Sequence, residues 1–303
     1  ADPGPYFVGD EATVQVAANY YAGGPLPDAE VTWRVTATPG TFTPPNWDDF
    51  VFGIWLPWWW GDARRYPEQE TQVSTFQGRT DASGAHHLRI ALEALDPPQA
   101  ANLTAEATVM DVNRQAWADS TQLLFHTAEL YVGLRRGSTF VQRGQPLVIV
   151  AIVSDLEGNA VAGRTIEMRA VRLRWALVKG RWQQVEADEQ TCTVVSAKEP
   201  VRCTFNTPEG GTYRIVGTIQ DDRGRRNLTQ ITCWVSGEER PAIQRVEQEE
   251  AELIPDKRIY QPGDVAEILV QSPFGPAEGL LTVQRDGLVS SQRFRREAGS
   301  LIL

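Results

Sequence analysis

The residues of this 303-residue chain that could do chemistry are its cysteines, its histidines and a dense group of tryptophans. Cys192 and Cys203 stand in two strand-like stretches, 191–195 and 201–205, on either side of the turn 196–200. A turn centred between residues 197 and 198 places Cys192 opposite Cys203. We therefore expect a cross-strand disulfide between them, which implies an oxidising compartment.

The remaining cysteine, Cys233, lies in a strand-like stretch, and this context predicts a buried thiol. A competing pairing of Cys203 with Cys233 stays open at this point. Two Asn-x-Thr sequences, at Asn102 and Asn227, are glycosylation signals only if the source organism glycosylates its proteins.

The histidines do not suggest a metal site. His86 and His87 are adjacent in a predicted strand, so their side chains point to opposite faces, and His126 is distant in the sequence. The sequence contains no His-Glu-x-x-His motif, no glycine-rich phosphate loop and no Gly-x-Ser-x-Gly motif. Its many carboxylates form no recognisable pair. We expect no catalytic residue, no metal and no cofactor.

Half of the ten tryptophans fall within one segment, residues 44–70, where Pro44, Pro45 and Pro57 restrict the backbone. This segment has three interpretations. It can fold back to cover a sheet or a sheet edge, it can form an interface with another domain or protein, or its aromatic rings can bind sugars. The tryptophans of this possible interface are Trp47, Trp55, Trp58, Trp59 and Trp60.

Composition restricts the class of protein. The formal net charge of -10 argues against a nucleic-acid partner, because neutralising phosphates needs clustered Lys and Arg. The 25 glycines and 19 prolines, with only two methionines, indicate a turn-rich β protein. No apolar run approaches the length of a membrane-spanning helix. The chain begins Ala1-Asp2-Pro3 without a signal-peptide pattern, so we expect it to be a section of a longer protein.

Two sets of internal repeats indicate tandem modules. The first set is an aromatic residue, a Gly with a polar neighbour, and then apolar residues typical of a half-buried strand. It occurs three times, at residues 6–10, 140–145 and 260–264. In the second set, residues 107–111 match residues 217–221, and each copy continues through a polar turn into a closing strand, like the last hairpin of a sandwich.

The repeats predict the domain limits. A first β-sandwich covers residues 1–126 and carries the Trp-rich insertion, and a second covers 127–236. A linker follows at 237–250, and residues 251–303 form a partial third β domain. We therefore predict an all-β chain of tandem, antiparallel immunoglobulin-like or fibronectin-like sandwiches.

Four strings stand in order along the chain: Tyr6-Phe-Val-Gly9-Asp10, Phe42-Thr-Pro44-Pro45-Asn-Trp47-Asp-Asp-Phe50-Val-Phe52-Gly53, Thr80-Asp81-x-x-Gly84 and Asp256-Lys257-x-x-Tyr260-x-Pro262-Gly263-Asp264. Together with their surroundings, over about two thirds of the chain, they are similar, in the same order, to motifs of the bacterial alpha-2-macroglobulin family. Residues 6–33 resemble its third macroglobulin domain, residues 42–53 resemble the aromatic insertion of that domain, and residues 256–274 resemble the start of its bait-region domain.

The resemblance implies a function. Members of the family are broad-spectrum protease traps, in which a protease cuts a bait segment, the scaffold rearranges and a Cys–Gln thioester couples to the attacker. The thioester motif Gly-Cys-Gly-Glu-Gln is absent here, and the residues before Cys192 do not fit it. The resemblance therefore implies a non-catalytic scaffold section of a periplasmic or cell-surface inhibitor. Its partners would be neighbouring macroglobulin domains and, through the bait region, target proteases, and the parent protein would be secreted or membrane-anchored.

Two other functions stay open from the sequence. A cell-surface adhesin of immunoglobulin-like repeats would have the same fold without needing the motif at residues 256–264. A carbohydrate-binding module would use the Trp-rich insertion.

Overall fold

The computed structural model describes residues 3–21, 23–55, 71–178, 181–237, 251–257, 259–271, 276–296 and 301–303. These residues form twenty β-strands and no helix, so the predicted all-β fold class is confirmed. The same ranges include no helix that could cross a membrane.

The first sandwich contains seven strands and encloses Trp33, which is 2% exposed. A five-stranded sheet has the order β1-β7-β6-β3-β4, and β2 pairs with β5 in the facing sheet. Along β3 the apolar side chains alternate inward, as expected for a half-buried strand. The strands are β1 (Tyr6–Phe7), β2 (Glu11–Ala17), β3 (Glu30–Pro39), β4 (Gln72–Arg79), β5 (Ala85–Ala91), β6 (Ala101–Met110) and β7 (Ala116–His126).

The second sandwich contains eight strands in two sheets. Three strands form one sheet in the order β13-β10-β8, and five form the other in the order β12-β11-β14-β15-β9. Apolar side chains from both sheets meet in one buried cluster. The strands are β8 (Tyr131–Arg136), β9 (Phe140–Val141), β10 (Leu147–Ser154), β11 (Thr165–Val178), β12 (Arg181–Val195), β13 (Val201–Phe205), β14 (Gly211–Gln220) and β15 (Arg226–Val235).

The remaining strands form a three-stranded sheet of order β16-β17-β20 and a β18–β19 hairpin. Ile254 and Leu269 of this three-stranded sheet are buried in one cluster with Phe140 of the second sandwich. Most of the predicted linker, residues 238–250, lies outside the described residues, and the domain limits stay a prediction. The strands are β16 (Glu252–Pro255), β17 (Ile268–Gln271), β18 (Ala277–Gln284), β19 (Leu288–Arg296) and β20 (Leu301–Ile302).

In its first two copies, at residues 6–10 and 140–145, the first repeat is where the chain passes from one sheet of a sandwich to the other. The short strands β1 and β9 run parallel to the closing strands β7 and β15. In each copy a four-residue turn follows, closed by the N–H of Asp10, Gln145 or Asp264 donating to a carbonyl three residues earlier at 3.0 Å. Gly9 and Gly144 adopt φ values of 90° and 84°, which a type II turn requires at this position and which favour glycine.

The second repeat is a hairpin turn organised by an aspartate. The Asp111 carboxylate accepts N–H groups from residues two and four positions later, and Asp221 does the same. Arg114 and Gly224 then adopt positive φ, which gives the turn with a bulge that commonly joins antiparallel strands. Asp81 and Asp155 organise turns with the same closing hydrogen bonds.

The disulfide has a different geometry from the one expected. Cys192 and Cys203 are bonded. However, Cys192 on β12 pairs with β11, whereas Cys203 on β13 pairs with β10 in the facing sheet. The expected cross-strand hairpin is therefore wrong, because residues 196–200 carry the chain from one sheet to the other. The disulfide joins the two sheets along one side of the second sandwich. Cys233 is a free, buried thiol.

We expect reduction of this disulfide to destabilise the second sandwich by about 3 kcal/mol, because the bond closes a loop with a sequence separation of 11 residues. Thermal unfolding with and without a reductant measures the change. Cys233→Ala is the matched control and should keep the full response to the reductant, whereas Cys192→Ser should lose it. Equal melting of the Cys192→Ser variant and the unmodified chain would contradict the prediction.

Candidate functional site: the joint between the sandwiches

A segment of the first sandwich is built into the second. Residues 42–55, which we call the strap, follow β3. They run across the side of the second sandwich where β8 of one sheet lies beside β15 of the other. This side lies opposite the disulfide, because β12 and β13 are the edge strands of the two sheets at the other side, whereas here β8 is an edge and β15 is followed only by the two-residue strand β9. The strap includes the described part of the Trp-rich insertion.

The strap pairs through its backbone with both sheets. The N–H groups of Val51 and Leu134 each donate to the carbonyl of the other residue at 2.9 Å, which attaches the strap to β8. Further along, Trp55 donates to the carbonyl of Gln230, and Gln230 donates to that of Gly53, both at 2.9 Å, which attaches it to β15. The strap thus connects the two sheets along this side.

Two phenylalanines of the strap are buried. Phe50 and Phe52, 5% and 9% exposed, pack in one cluster with Tyr131, Val150 and Ile152 of the second sandwich. Gly133 makes room for this packing: a Cβ atom there would lie 2.6 Å from the Phe52 ring. Asp49 of the strap also forms an ion pair with Arg135 of β8.

Trp47 and Trp55, singled out from the sequence, both lie against the second sandwich. Trp47 donates its indole N–H to the carbonyl of Gly158 at 3.0 Å. The guanidinium of Arg136 lies 4.0 Å above the Trp55 ring and donates to the carbonyl of Thr232 at 2.7 Å. Trp58, Trp59 and Trp60 lie outside the described residues, so the proposed interface is described only in part.

Buried polar side chains of β15 satisfy the β8 edge at Val132. Asn227 of β15 accepts the N–H of Val132 at 3.0 Å, and the Thr229 hydroxyl donates to the Val132 carbonyl at 2.6 Å. The same hydroxyl oxygen accepts the N–H of Gly53 in the strap at 3.0 Å. The Asn-x-Thr sequence at residue 227 thus binds backbone inside the protein, where Asn227 is 1% exposed.

An aromatic cluster joins the end of the first sandwich to the start of the second. His126, the last residue of β7, is 6% exposed, and its Nδ1 lies 2.8 Å from the hydroxyl of Tyr131. The rings of Phe42 and Phe7 pack beside the imidazole, at centroid distances of 4.7 Å and 5.8 Å. Burial among these rings lowers the pKa of His126 below its ordinary value and raises that of Tyr131.

Arg225 provides a charged contact across the joint. Its guanidinium lies 4.5 Å above the ring of Phe7 in the first sandwich. It also donates to the carboxylate of Asp221 at 2.7 Å, and this carboxylate accepts the N–H of Glu129 at 3.1 Å. Burial alone would raise the pKa of Asp221, but these hydrogen bonds lower it overall. The repeated Asp turn therefore also fixes the segment that leads into β8.

The chemistry available at the joint is that of packing and hydrogen bonding. Within the described ranges, no three His, Cys, Asp or Glu side chains are grouped as a metal site would require. The Cys233 thiol is buried, and burial raises its pKa to about 12, so it is protonated at neutral pH. His86 accepts the indole N–H of Trp33 at 3.1 Å and belongs to the first sandwich.

The sequence reasoning did not identify the residues that make the joint, namely Phe50, Phe52, His126, Tyr131, Gly133, Arg136 and Arg225. Two signals were present in the sequence. Aromatic residues alternate at Phe50 and Phe52, as on one face of a strand, and Gly133 interrupts an apolar strand.

Known proteins are similar to this chain over nearly all of its length. No protein-family model matches it. It is 25% identical over 295 residues to an alpha-2-macroglobulin homolog from Nostoc, which covers 94% of this chain and 15% of that protein. It is also 24% identical over 148 residues to circularly permutated Ras protein 2 of Dictyostelium discoideum, covering 45% of this chain and 3% of that protein.

Solved structures show the same fold. The chain superposes over its full length on the native conformation of Escherichia coli alpha-2-macroglobulin, with a TM-score of 0.52 at 15% identity, and covers 20% of it. For the trypsin-activated form the TM-score is 0.53 at 16% identity, with 21% of that protein covered. The resemblance to the bacterial alpha-2-macroglobulin family is thus confirmed. The chain spans about a fifth or less of the length of these proteins.

The buried histidine predicts a pH-dependent stability. Because the pKa of His126 is lowered in the folded state, the unfolded chain binds a proton that the folded chain does not. Stability should fall as the pH drops below the ordinary pKa of about 6.5, by at most about 1.4 kcal/mol per pH unit. The slope is measured by denaturant unfolding in a series of buffers from pH 7.5 to pH 5.5, which gives the free energy of unfolding at each pH.

The matched variant is His126→Gln, which has no titratable group at this position and should show a smaller loss of stability over the same pH range. An identical pH dependence in the two proteins would contradict the role of His126. His87→Gln, at an exposed position of β5, should behave like the unmodified chain.

The close approach of Phe52 to Gly133 predicts a coupled pair of substitutions. Gly133→Ala should destabilise the chain by about 1–3 kcal/mol through overpacking, and Phe52→Ala by about 3–5 kcal/mol. The double variant should lose at least about 1 kcal/mol less than the sum, because the added methyl group occupies space that the phenyl ring has left. Gly137→Ala, where an added Cβ meets only an ordinary contact, is the control. Strict additivity would contradict the packing described.

Proposed function

We propose that this chain is a non-catalytic scaffold section of an alpha-2-macroglobulin-like, broad-spectrum protease inhibitor. The similarity to the Nostoc homolog over 94% of the chain supports this proposal. Escherichia coli alpha-2-macroglobulin is described in one structure as activated by trypsin and in another as activated by porcine elastase, so proteases act on that protein. The chain covers only part of such a protein, and the whole inhibitor's activity is therefore part of the proposal.

The mechanical role of the section follows from the strap, which is the observation that carries the proposal. A strap with two buried phenylalanines and backbone bonds to both sheets of the second sandwich holds the two sandwiches at one angle. The ring cluster at His126 and the Arg225 contact strengthen the same joint. A rigid pair of sandwiches can transmit a rearrangement that begins at a cleaved bait segment, whereas a flexible linker cannot.

Partners and location are also proposals. The partners are neighbouring macroglobulin domains of the parent protein and, through its bait region, the target proteases. The disulfide fits an oxidising compartment, which supports a periplasmic or cell-surface location for a secreted or membrane-anchored parent. The sugar-binding alternative is less well supported, because the Trp55 ring is covered by Arg136 and Trp47 is bonded to Gly158.

The inhibitory role is tested with the whole protein that contains this chain. Incubation with trypsin should reduce the hydrolysis of a large protein substrate more than that of a small peptide substrate, because a trapped protease stays accessible to small molecules. Equal hydrolysis of both substrates with and without the protein would overturn the proposal, and an adhesin of similar modules would give this result.

The scaffold role predicts that the two sandwiches tumble together. Backbone ¹⁵N relaxation should give one rotational correlation time for the amides in strands β1–β7 and those in strands β8–β15. The paired substitution Phe50→Ala and Phe52→Ala should produce two shorter correlation times, because it removes the buried part of the strap. The matched control Trp117→Ala, at a position that is 68% exposed, should leave a single value. Two correlation times in the unmodified chain would contradict the rigid joint.

A further inference from the structure

We propose that the side of the second sandwich between β8 and β15 is a strand-acceptor groove, a binding site for an extended peptide that in this chain is occupied by its own strap. The ligand class is an extended segment with two aromatic residues at alternate positions followed by Gly, as in Phe50-Val51-Phe52-Gly53. This inference concerns peptide binding by the second sandwich and stands independently of the inhibitor function.

The groove presents backbone groups from two sheets at once. Leu134 of β8 and Gln230 of β15 each offer an N–H and a carbonyl, and all four groups are bonded by the strap at 2.9 Å. Main-chain hydrogen bonds of this kind supply affinity in strand addition, while pockets for alternate side chains supply specificity. Both features are present here.

The groove also has shaped sites for particular side chains. Phe50 and Phe52 enter a cluster formed by Tyr131, Val150 and Ile152. The absence of a side chain at Gly133 opens the space for the Phe52 ring. At the far end, the guanidinium of Arg136 provides a flat surface 4.0 Å from the Trp55 ring. A ligand without aromatic residues would leave these sites empty.

The backbone attachment of the strap is small enough to be exchanged. Its backbone pairs with the second sandwich are isolated ones, Val51 with Leu134 and Ile54 with Gln230, whereas β8 meets β10 through a continuous ladder of six residue pairs. The strap therefore contributes few of the hydrogen bonds of the second sandwich, and its release leaves the ladders intact. Release would leave the outward N–H and carbonyl groups of Leu134 on β8 and Gln230 on β15 without these partners, and unpaired backbone groups favour binding of another extended segment.

Competition with a peptide in trans tests this inference on the full chain. A labelled peptide with the sequence of residues 42–55 is titrated into the chain that carries Phe50→Ala and Phe52→Ala, whose own strap no longer fills the aromatic sites. We expect this variant to bind the peptide about 100-fold more tightly than the unmodified chain does, because the intact strap competes at a millimolar effective concentration.

Two controls define the specificity. A peptide with the same two Phe→Ala changes should show no binding, and adding Gly133→Ala to the variant chain should abolish binding of the original peptide by blocking the Phe52 site. The inference is overturned if the folded variant does not bind the original peptide, or if the unmodified chain binds it equally well.

Amide hydrogen exchange on the unmodified chain gives a second measurement that does not depend on the folding of a variant. If the strap is released locally, the amides of Leu134 and Gln230 should exchange at least about 100-fold faster than that of Ile215, which lies on β14 between two paired strands. Equal exchange rates at the three amides would show that the strap opens only when the whole sandwich unfolds, and would overturn the inference.

Discussion

The outer edge of β8 imposes the constraint on which the rest of the structure depends. Val132 and Leu134 are fully buried, so their backbone groups facing away from β10 must find partners inside the protein. Asn227 and Thr229 of the facing sheet satisfy Val132, and Val51 of the strap satisfies Leu134. The edge of β8 is thus closed by side chains at Val132 and by the backbone of the strap at Leu134.

This arrangement gives the second sandwich two different closures. On one side, the disulfide between Cys192 and Cys203 joins the edge strands β12 and β13. On the other side, the strap joins β8 to β15 without a covalent bond. A covalent closure is permanent in an oxidising compartment, whereas a closure by backbone pairs and two buried rings can open. The non-covalent closure belongs to the segment that also connects the two sandwiches.

The joint also shows how one repeated turn serves two purposes. The carboxylate of Asp111 holds only its own hairpin, through the N–H groups of Asn113 and Gln115. Asp221 makes the same two bonds and additionally binds Glu129 and Arg225, so it fixes the entry to β8. The change depends on what lies beside the turn, since the segment after His126 reaches Asp221 and no corresponding segment among the described residues is bonded to Asp111.

The sequence by itself determined the local features. Period-two alternation, glycines that require positive φ and repeated Asp turns are set by residues close together in the chain, and they were sufficient to predict an all-β chain of tandem sandwiches. The resemblance to alpha-2-macroglobulins was recognised separately, from the motif strings and their order. The pairing of Cys192 with Cys203 was also proposed from local spacing, but its geometry was not, because a short connection can form a hairpin or cross between sheets. Only the tertiary structure decided that the strap joins the second sandwich. Val51 meets Leu134, and Phe52 meets Gly133, across about 80 residues of sequence, and such contacts depend on the relative position of two folded sheets rather than on any local pattern.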